Sequence, residues 1–343
     1  MASPPELVVI AGTSEYEPHH VAQLPVLVLH VHSSCNCRCV MCDIWKTKES
    51  RAFRPADLKP HLESIRRLGV RWVVFSGGEP LLNRELPELC SILRREGIRL
   101  TLLTTGLLLE KQAELVAEGF DDAIVSLDGS ELVHNAIRRV DTAFALIQSG
   151  CTTLRKRRPA FPVTARTTVQ KANRQNLRET VNAAKQLDLD GISFLAADLT
   201  SAAFNRATAW SAERRSEVGL SVEELGELEA EIEALIREHA ADIDSAYIAE
   251  SPDKLRRIAS HFRAHLGLAR SESPQCNAPW TSAVIETDGT VRPCFFHRAI
   301  GNISDTSLDQ VINGEAALAF RSALDIPSNP TCNRCVCSLN YRP

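Results

Sequence analysis

The chain has 343 residues, 44% of them apolar, enough for one large domain with a full core and a smaller one beside it. Its net charge is −4 with both signs interspersed, which argues against a broad nucleic-acid surface, and no apolar stretch reaches the length of a membrane-spanning helix. The segment Met1-Ala2-Ser3-Pro4-Pro5 has no basic region followed by an apolar core, so a cytoplasmic chain is expected, in which eleven cysteines point to metal ligands rather than disulfides.

Residues 1–23 are polar and read as a cover strand or loose arm. From 24 to about 200, apolar strands alternate with amphipathic helices. Strands are expected at 26–32, 71–75, 99–104, 123–127, 163–169 and 192–196. Leu58, Leu62, Ile65 and Leu68 mark one helix face; Leu86, Leu89, Cys90 and Leu93 mark the next, stopped by Gly97. Helices near 109–118, 141–149 and 176–187 follow, and the basic run Arg155-Lys156-Arg157-Arg158 reads as a solvated turn. Six βα units predict an α/β fold around a parallel sheet. A helical connecting region spans 201–272: loop to 219, then a capping box from Ser221 to Glu224 opening a helix with Leu225, Leu228, Ile232 and Leu235 on one stripe. A second helix starts at Ser251-Pro252 and carries Leu255, Ile258, Phe262 and Leu266. A small domain is expected over 273–343, with strands 281–287 and 290–296 joined through Asp288-Gly289 and a helical stretch at 306–323.

The chemistry lies in the cysteines. Cys35, Cys39 and Cys42 follow the first strand with the spacing C-x3-C-x2-C. Three thiolates on one loop can hold three corners of an iron–sulfur cube and leave the fourth iron open, since a cube usually takes four cysteines. A zinc site is the alternative, but zinc ligands usually come as C-x2-4-C pairs from separate segments. Cys37 falls outside the triad and reads as a spectator, and Cys90 and Cys151 as ordinary core residues. Near the other end, Cys276 and Cys294 bracket the hairpin, and Cys332 and Cys335 form a C-x2-C pair with Cys337 left over. That set taken alone is also the recipe for a zinc ribbon.

The triad, together with Ser76-Gly77-Gly78-Glu79-Pro80 after the second strand, resembles the radical S-adenosylmethionine (SAM) superfamily. The resemblance implies an open (β/α)6 partial barrel with its chemistry at the C-terminal ends of the strands. It implies a [4Fe–4S] cluster on Cys35, Cys39 and Cys42, with SAM on the open iron, cleaved reductively to a 5′-deoxyadenosyl radical. Gly77, Gly78 and Glu79 would meet the SAM amino group, a carboxylate complementing an ammonium. Ser126, ending the fourth strand, would lie near the ribose or carboxylate. Arg166, an arginine in the β-branched strand Val163-Thr164-Ala165-Arg166-Thr167-Thr168-Val169, needs a partner, which the resemblance makes the SAM carboxylate. Asp128 and Arg138 read as loop braces, and Thr105 stands where many relatives carry asparagine. The C-terminal cysteines resemble the family's twitch or SPASM extension, implying a second [4Fe–4S] cluster on Cys276, Cys294, Cys332 and Cys335. The function expected is hydrogen abstraction from a small polar substrate, with oxidation or epimerisation at a carbinol carbon favoured over peptide modification and over a non-catalytic cluster- or zinc-binding protein. The electron would come from a flavodoxin- or ferredoxin-type reductant, with no nucleic acid and no membrane as partner.

Overall fold

The computed structural model describes residues 19–206, 208–337 and 340–341; the arm expected at 1–23 lies outside them up to residue 18. Six strands run in chain order: β1 (Val26–His32), β2 (Trp72–Gly77), β3 (Arg99–Thr104), β4 (Asp122–Ser126), β5 (Val163–Val169) and β6 (Gly191–Ala196). Each pairs in parallel with the next, with helices in the connections. Period-2 alternation sets the two faces of this open (β/α)6 sheet. Leu27, Leu29, Val73, Phe75, Leu100 and Leu102 are fully buried, whereas Val28, His30, Ile124, Ser126, Thr164 and Ser193 on the other face are only partly covered.

The C-terminal hairpin is not a separate sheet. β7 (Ser282–Ile285) lies parallel to β1, with Val26 opposite Ser282 and Leu29 opposite Ile285. β8 (Thr290–Arg292) and β9 (Gly301–Asn302) follow antiparallel, giving the order β6-β5-β4-β3-β2-β1-β7-β8-β9. All four residues of β7 are buried, as a strand inside a sheet requires. The strand that delivers the first cysteine loop is therefore hydrogen-bonded on one side to the strand that follows Cys276.

Several helix expectations change. The first stripe breaks into Pro55–Leu58, a 3-10 turn and Leu62–Arg67, because Pro60 cannot donate within a helix. The basic run is the last turn of the helix Ala143–Arg157, where cations suit the helix C-terminus. Arg155 then bonds the Phe161 carbonyl at 2.7 Å and pairs with Asp190 at 2.7 Å. The expected loop 199–219 contains the helix Ala212–Val218, capped by Ser211. The stretch 306–323 divides at Asn313-Gly314 into Leu308–Ile312 and Glu315–Ala323. Helix Val222–Glu238 packs on Leu177–Gln186 and on Pro252–His265, and the last packs on β6. No helix among the described residues is long and apolar enough to cross a membrane.

Candidate functional site

The loop carrying Cys35, Cys39 and Cys42 leaves β1 at its C-terminal end and is fastened on three sides. The first fastening is to the exit of β2. Gly78 N–H donates to the His32 carbonyl at 2.7 Å and Glu79 N–H to the Ser34 carbonyl at 2.9 Å. A Cβ at Gly78 would lie 2.0 Å from the Ser34 oxygen, and Gly77 has φ +117°, so the two exits press together only through glycines.

The second fastening runs through Glu79, which has no exposed surface. Its Oε1 accepts from Leu81 N–H at 3.0 Å and Thr104 Oγ1 at 2.7 Å; its Oε2 accepts from Thr105 N–H at 2.7 Å. Thr105 Oγ1 in turn donates to Asn36 Oδ1 at 3.0 Å, inside the cysteine loop. Sequence reasoning gave this carboxylate an ammonium to meet; the structure gives both its oxygens protein donors, because the turn after β2 folds it back under β3. Burial pushes its pKa up, and the hydrogen bonds pull against that. Glu79→Ala leaves buried donors without an acceptor, at about 1–3 kcal/mol each. Denaturant unfolding should therefore show a loss of about 3 kcal/mol or more, against much less for Glu79→Gln; equal stability of Glu79→Ala and the parent would refute the clamp.

The third fastening is the helix Glu131–Arg138. The Ile137 carbonyl accepts from Val40 N–H at 3.0 Å and the Arg138 carbonyl from Arg38 N–H at 3.3 Å. Arg138 is buried, pairs with fully buried Asp128 at 2.6 Å, and donates through Nη1 to Cys39 Sγ at 3.4 Å. Asp128 also accepts from Thr168 N–H at 3.0 Å. The hydrogen bond with Cys37, followed by the Arg138 charge, holds the Cys39 thiol below its ordinary value, against desolvation. Burial pushes Cys35 and Cys42 up to about 12, and each also feels the Cys39 charge, as convergent thiols do.

A fourth set of contacts was not legible as functional. Arg206 forms a buried ion pair with Asp198 at 2.7 Å and stacks over Trp210 at 3.8 Å. Trp210 Nε1 donates to Asp43 Oδ2 at 2.6 Å, and Arg214 donates to the Val40 carbonyl. The segment after β6 thus folds over the cysteine loop. An arginine and a tryptophan four residues apart in a polar stretch were the only signal in the sequence.

Ser126 and Arg166 stand opposite each other on β4 and β5, with Ser193 of β6 next in the row. Arg166 Nε donates to Ser193 Oγ at 3.3 Å, its side chain is exposed, and no carboxylate lies within 4.0 Å of it among the described residues. Both face the partly covered side of the sheet.

At the other site, Cys276, Cys294, Cys332 and Cys335 line one cavity of ≈ 340 Å³, its open mouth included, with Phe296 and His297. All eleven cysteines are free thiols. Burial pushes Cys294 up to about 12, with the charges of Cys276 and Cys332 adding to it. Thiols spread around one cavity are the donor set of a cube, in which each sulfur takes its own iron. No three His, Cys, Asp or Glu side chains among the described residues converge as on a single ion. His297, whose Nε2 lies 3.1 Å from Cys332 Sγ, is a neighbour that sequence reasoning missed; its signal was the C-x2-H step from Cys294. Cys337 is exposed, and its carbonyl lies 3.4 Å from Cys335 Sγ.

Comparison with known proteins bears on both sites. Residues 29–184 match the radical SAM superfamily model, and residues 276–336 match the model of an iron–sulfur cluster-binding domain. The AdoMet-dependent heme synthase of Methanosarcina barkeri is 31% identical over 160 residues, 45% of this chain and 45% of that protein. A probable GTP 3′,8-cyclase of Methanococcus maripaludis is 35% identical over 116 residues, 33% of this chain and 39% of that protein. The chain spans less than half the length of these curated relatives. Streptococcus suis SuiB bound to precursor peptide SuiA superposes with a TM-score of 0.63 at 16% identity, covering 94% of this chain and 73% of that one, a likeness of fold.

Proposed function

The chain belongs to the radical SAM superfamily, with an iron–sulfur cluster-binding domain after its barrel, and from that premise we propose that it cleaves SAM reductively and abstracts hydrogen from a small polar substrate. The observation that carries this reading is the three-thiol loop at the C-terminal end of β1. The loop fits a [4Fe–4S] cluster: Cys35, Cys39 and Cys42 are free thiols within reach of one another's charge, and Cys37 and Arg138 hold the Cys39 thiol below its ordinary value. A cluster held by three cysteines supplies, through its open iron, the electron that breaks the SAM sulfonium and gives the 5′-deoxyadenosyl radical. Around it, Arg138 offsets thiolate charge, and Glu79 acts as a positioning residue by fixing the Thr104-Thr105 turn against Asn36. The Gly77-Gly78 backbone, Ser126 and Arg166 are the groups we assign to the ammonium, ribose and carboxylate of SAM.

Cys276, Cys294, Cys332 and Cys335 are assigned to a second [4Fe–4S] cluster with no open iron, which suits it to pass an electron or position substrate. The electron source is a flavodoxin- or ferredoxin-type reductant. The polar row Ser126, Arg166, Ser193 supports a hydroxylated metabolite, oxidised or epimerised at a carbinol carbon. A second reading, a flat aromatic substrate, is favoured by Phe204 stacked on Phe295 with Phe296 edge-on, their ring centroids 6.3 and 6.1 Å from that of Phe204.

The test is anaerobic reconstitution followed by dithionite reduction with SAM. About eight irons per chain and release of 5′-deoxyadenosine are expected; stoichiometric zinc without iron or sulfide would overturn the reading. Cys294→Ala should lose the second cluster, whereas Cys335→Ala should keep part of it, because Cys337 lies two residues on. Equal iron loss in both variants would show that Cys337 does not substitute.

A further inference from the structure

His297 stands in the wall of the C-terminal cysteine cavity with Cys276, Cys294, Cys332 and Cys335. It comes from the hairpin side, three residues after Cys294, whereas Cys332 arrives 35 positions later on the C-x2-C turn. Two contacts fix the histidine in place. Arg292 of β8, paired with Glu286 at 2.7 Å, donates through Nη1 to the His297 carbonyl at 3.0 Å. The ring packs edge-on against Phe320 of the helix Glu315–Ala323, with centroids 4.8 Å apart and planes at 62°. Held in this way, the imidazole brings Nε2 to 3.1 Å from Cys332 Sγ.

Among the described residues, no other side chain offers a donor within hydrogen-bond distance of the four sulfurs. Cys276 Sγ accepts from the main-chain N–H of Ala278 at 3.4 Å. Cys335 Sγ lies 3.4 Å from the Cys337 carbonyl, which can only accept. A cysteine that binds iron has lost its proton, so the hydrogen in the contact with Cys332 has to come from the ring. The closeness of the contact also argues against the ring as a fifth ligand. In a cube each cysteine sulfur takes its own iron, and donor atoms on different irons stand farther apart than a hydrogen bond. Hydrogen bonds to the sulfurs are among the factors that set a cluster's potential, because they stabilise the negative charge that an added electron spreads onto them.

We infer that His297 donates Nε2–H to the Cys332 sulfur of the second cluster and thereby raises that cluster's reduction potential, which suits it to take up an electron rather than only to hold substrate. This rests on the reading that Cys276, Cys294, Cys332 and Cys335 carry a [4Fe–4S] cluster.

The test is a redox titration followed by electron paramagnetic resonance on the anaerobically reconstituted full chain. SAM is added so that the signal of the cluster with an open iron is displaced from that of the second. H297L removes the donor, and H297Q keeps an N–H in its place. In H297L the midpoint of the second cluster should fall by about 30–60 mV, three- to tenfold in its one-electron equilibrium, with iron content and the first midpoint unchanged. H297Q should recover most of that shift. An unmoved midpoint in H297L, or a midpoint in H297Q as low as in H297L, overturns the proposal. Should either variant fail to fold or to hold its second cluster, the parent protein labelled with 15N-histidine decides by pulsed resonance. A weak nitrogen coupling to the reduced second cluster is expected there; a coupling as strong as direct iron ligation, or none, overturns the hydrogen bond. Zinc in place of the second cluster in the parent protein strikes the reading on which this rests, whereas about eight irons with an unmoved midpoint in H297L strikes only the role of His297.

Discussion

Changing Cys35, Cys39 and Cys42 together to alanine is expected to abolish release of 5′-deoxyadenosine while the chain stays folded and keeps about four irons. Activity should vanish because the three thiols are the whole protein donor set of the proposed site; Cys37, hydrogen-bonded to Cys39, lies outside that set. The fold should survive because main-chain and polar contacts, not thiols, hold the loop. Val40 and Arg38 bond the end of the helix Glu131–Arg138, Glu79 N–H bonds Ser34, and Asn83 Nδ2 bonds the Val31 carbonyl at 2.9 Å. The surviving irons belong to the cavity lined by Cys276, Cys294, Cys332 and Cys335, which shares none of these contacts. Product is read by chromatography, iron and sulfide by colorimetric assay, and folding by circular dichroism. Undiminished 5′-deoxyadenosine would sink the assignment of the triad, and loss of all iron would sink the independence of the two sites.

The parts of this fold legible in the sequence are those where local pattern and tertiary demand agree. The strands read from apolar runs at 26–32, 99–104 and 163–169 match β1, β3 and β5 at both ends. The capping box at Ser221 and the proline after Ser251 likewise mark real helix starts. What escaped was non-local. Nothing in Ser282-Ala283-Val284-Ile285 says that it pairs with a strand some 250 residues earlier, because pairing partners carry no sequence mark beyond burial on both faces. Glu79 was legible as a motif residue but not as a buried clamp, since its partners Thr104 and Thr105 arrive on the next strand. Trp210 and His297 carried little signal for the same reason: each acts on a residue far off in the chain.

Arg138→Met is expected to cost about 3–5 kcal/mol of stability, because it strands a fully buried carboxylate. Asp128 has no exposed surface, and its pKa is already raised by burial despite the pull of Arg138. Without the guanidinium, desolvation acts unopposed and the folded-state pKa climbs further. The sign of the pH effect follows. A carboxyl whose folded pKa lies above its unfolded value of about 4 destabilises the fold increasingly as pH rises from that value through the folded one. The deficit of Arg138→Met should therefore be larger at pH 8 than at pH 5. Adding Asp128→Asn removes the stranded charge, so the double variant should be more stable than Arg138→Met alone, and its deficit should lose most of that pH dependence. Urea unfolding of the metal-free, reduced proteins, followed by tryptophan fluorescence, gives the double-mutant cycle. A flat pH profile for Arg138→Met, or a double variant no better than the single, would mean that Asp128 finds another cation and that the pair does not hold the helix Glu131–Arg138 beneath the cysteine loop. If the pair does hold it, Asp128 fixes the guanidinium that meets Cys39, and the acid–base poise of that thiol is set two steps away, just beyond β4.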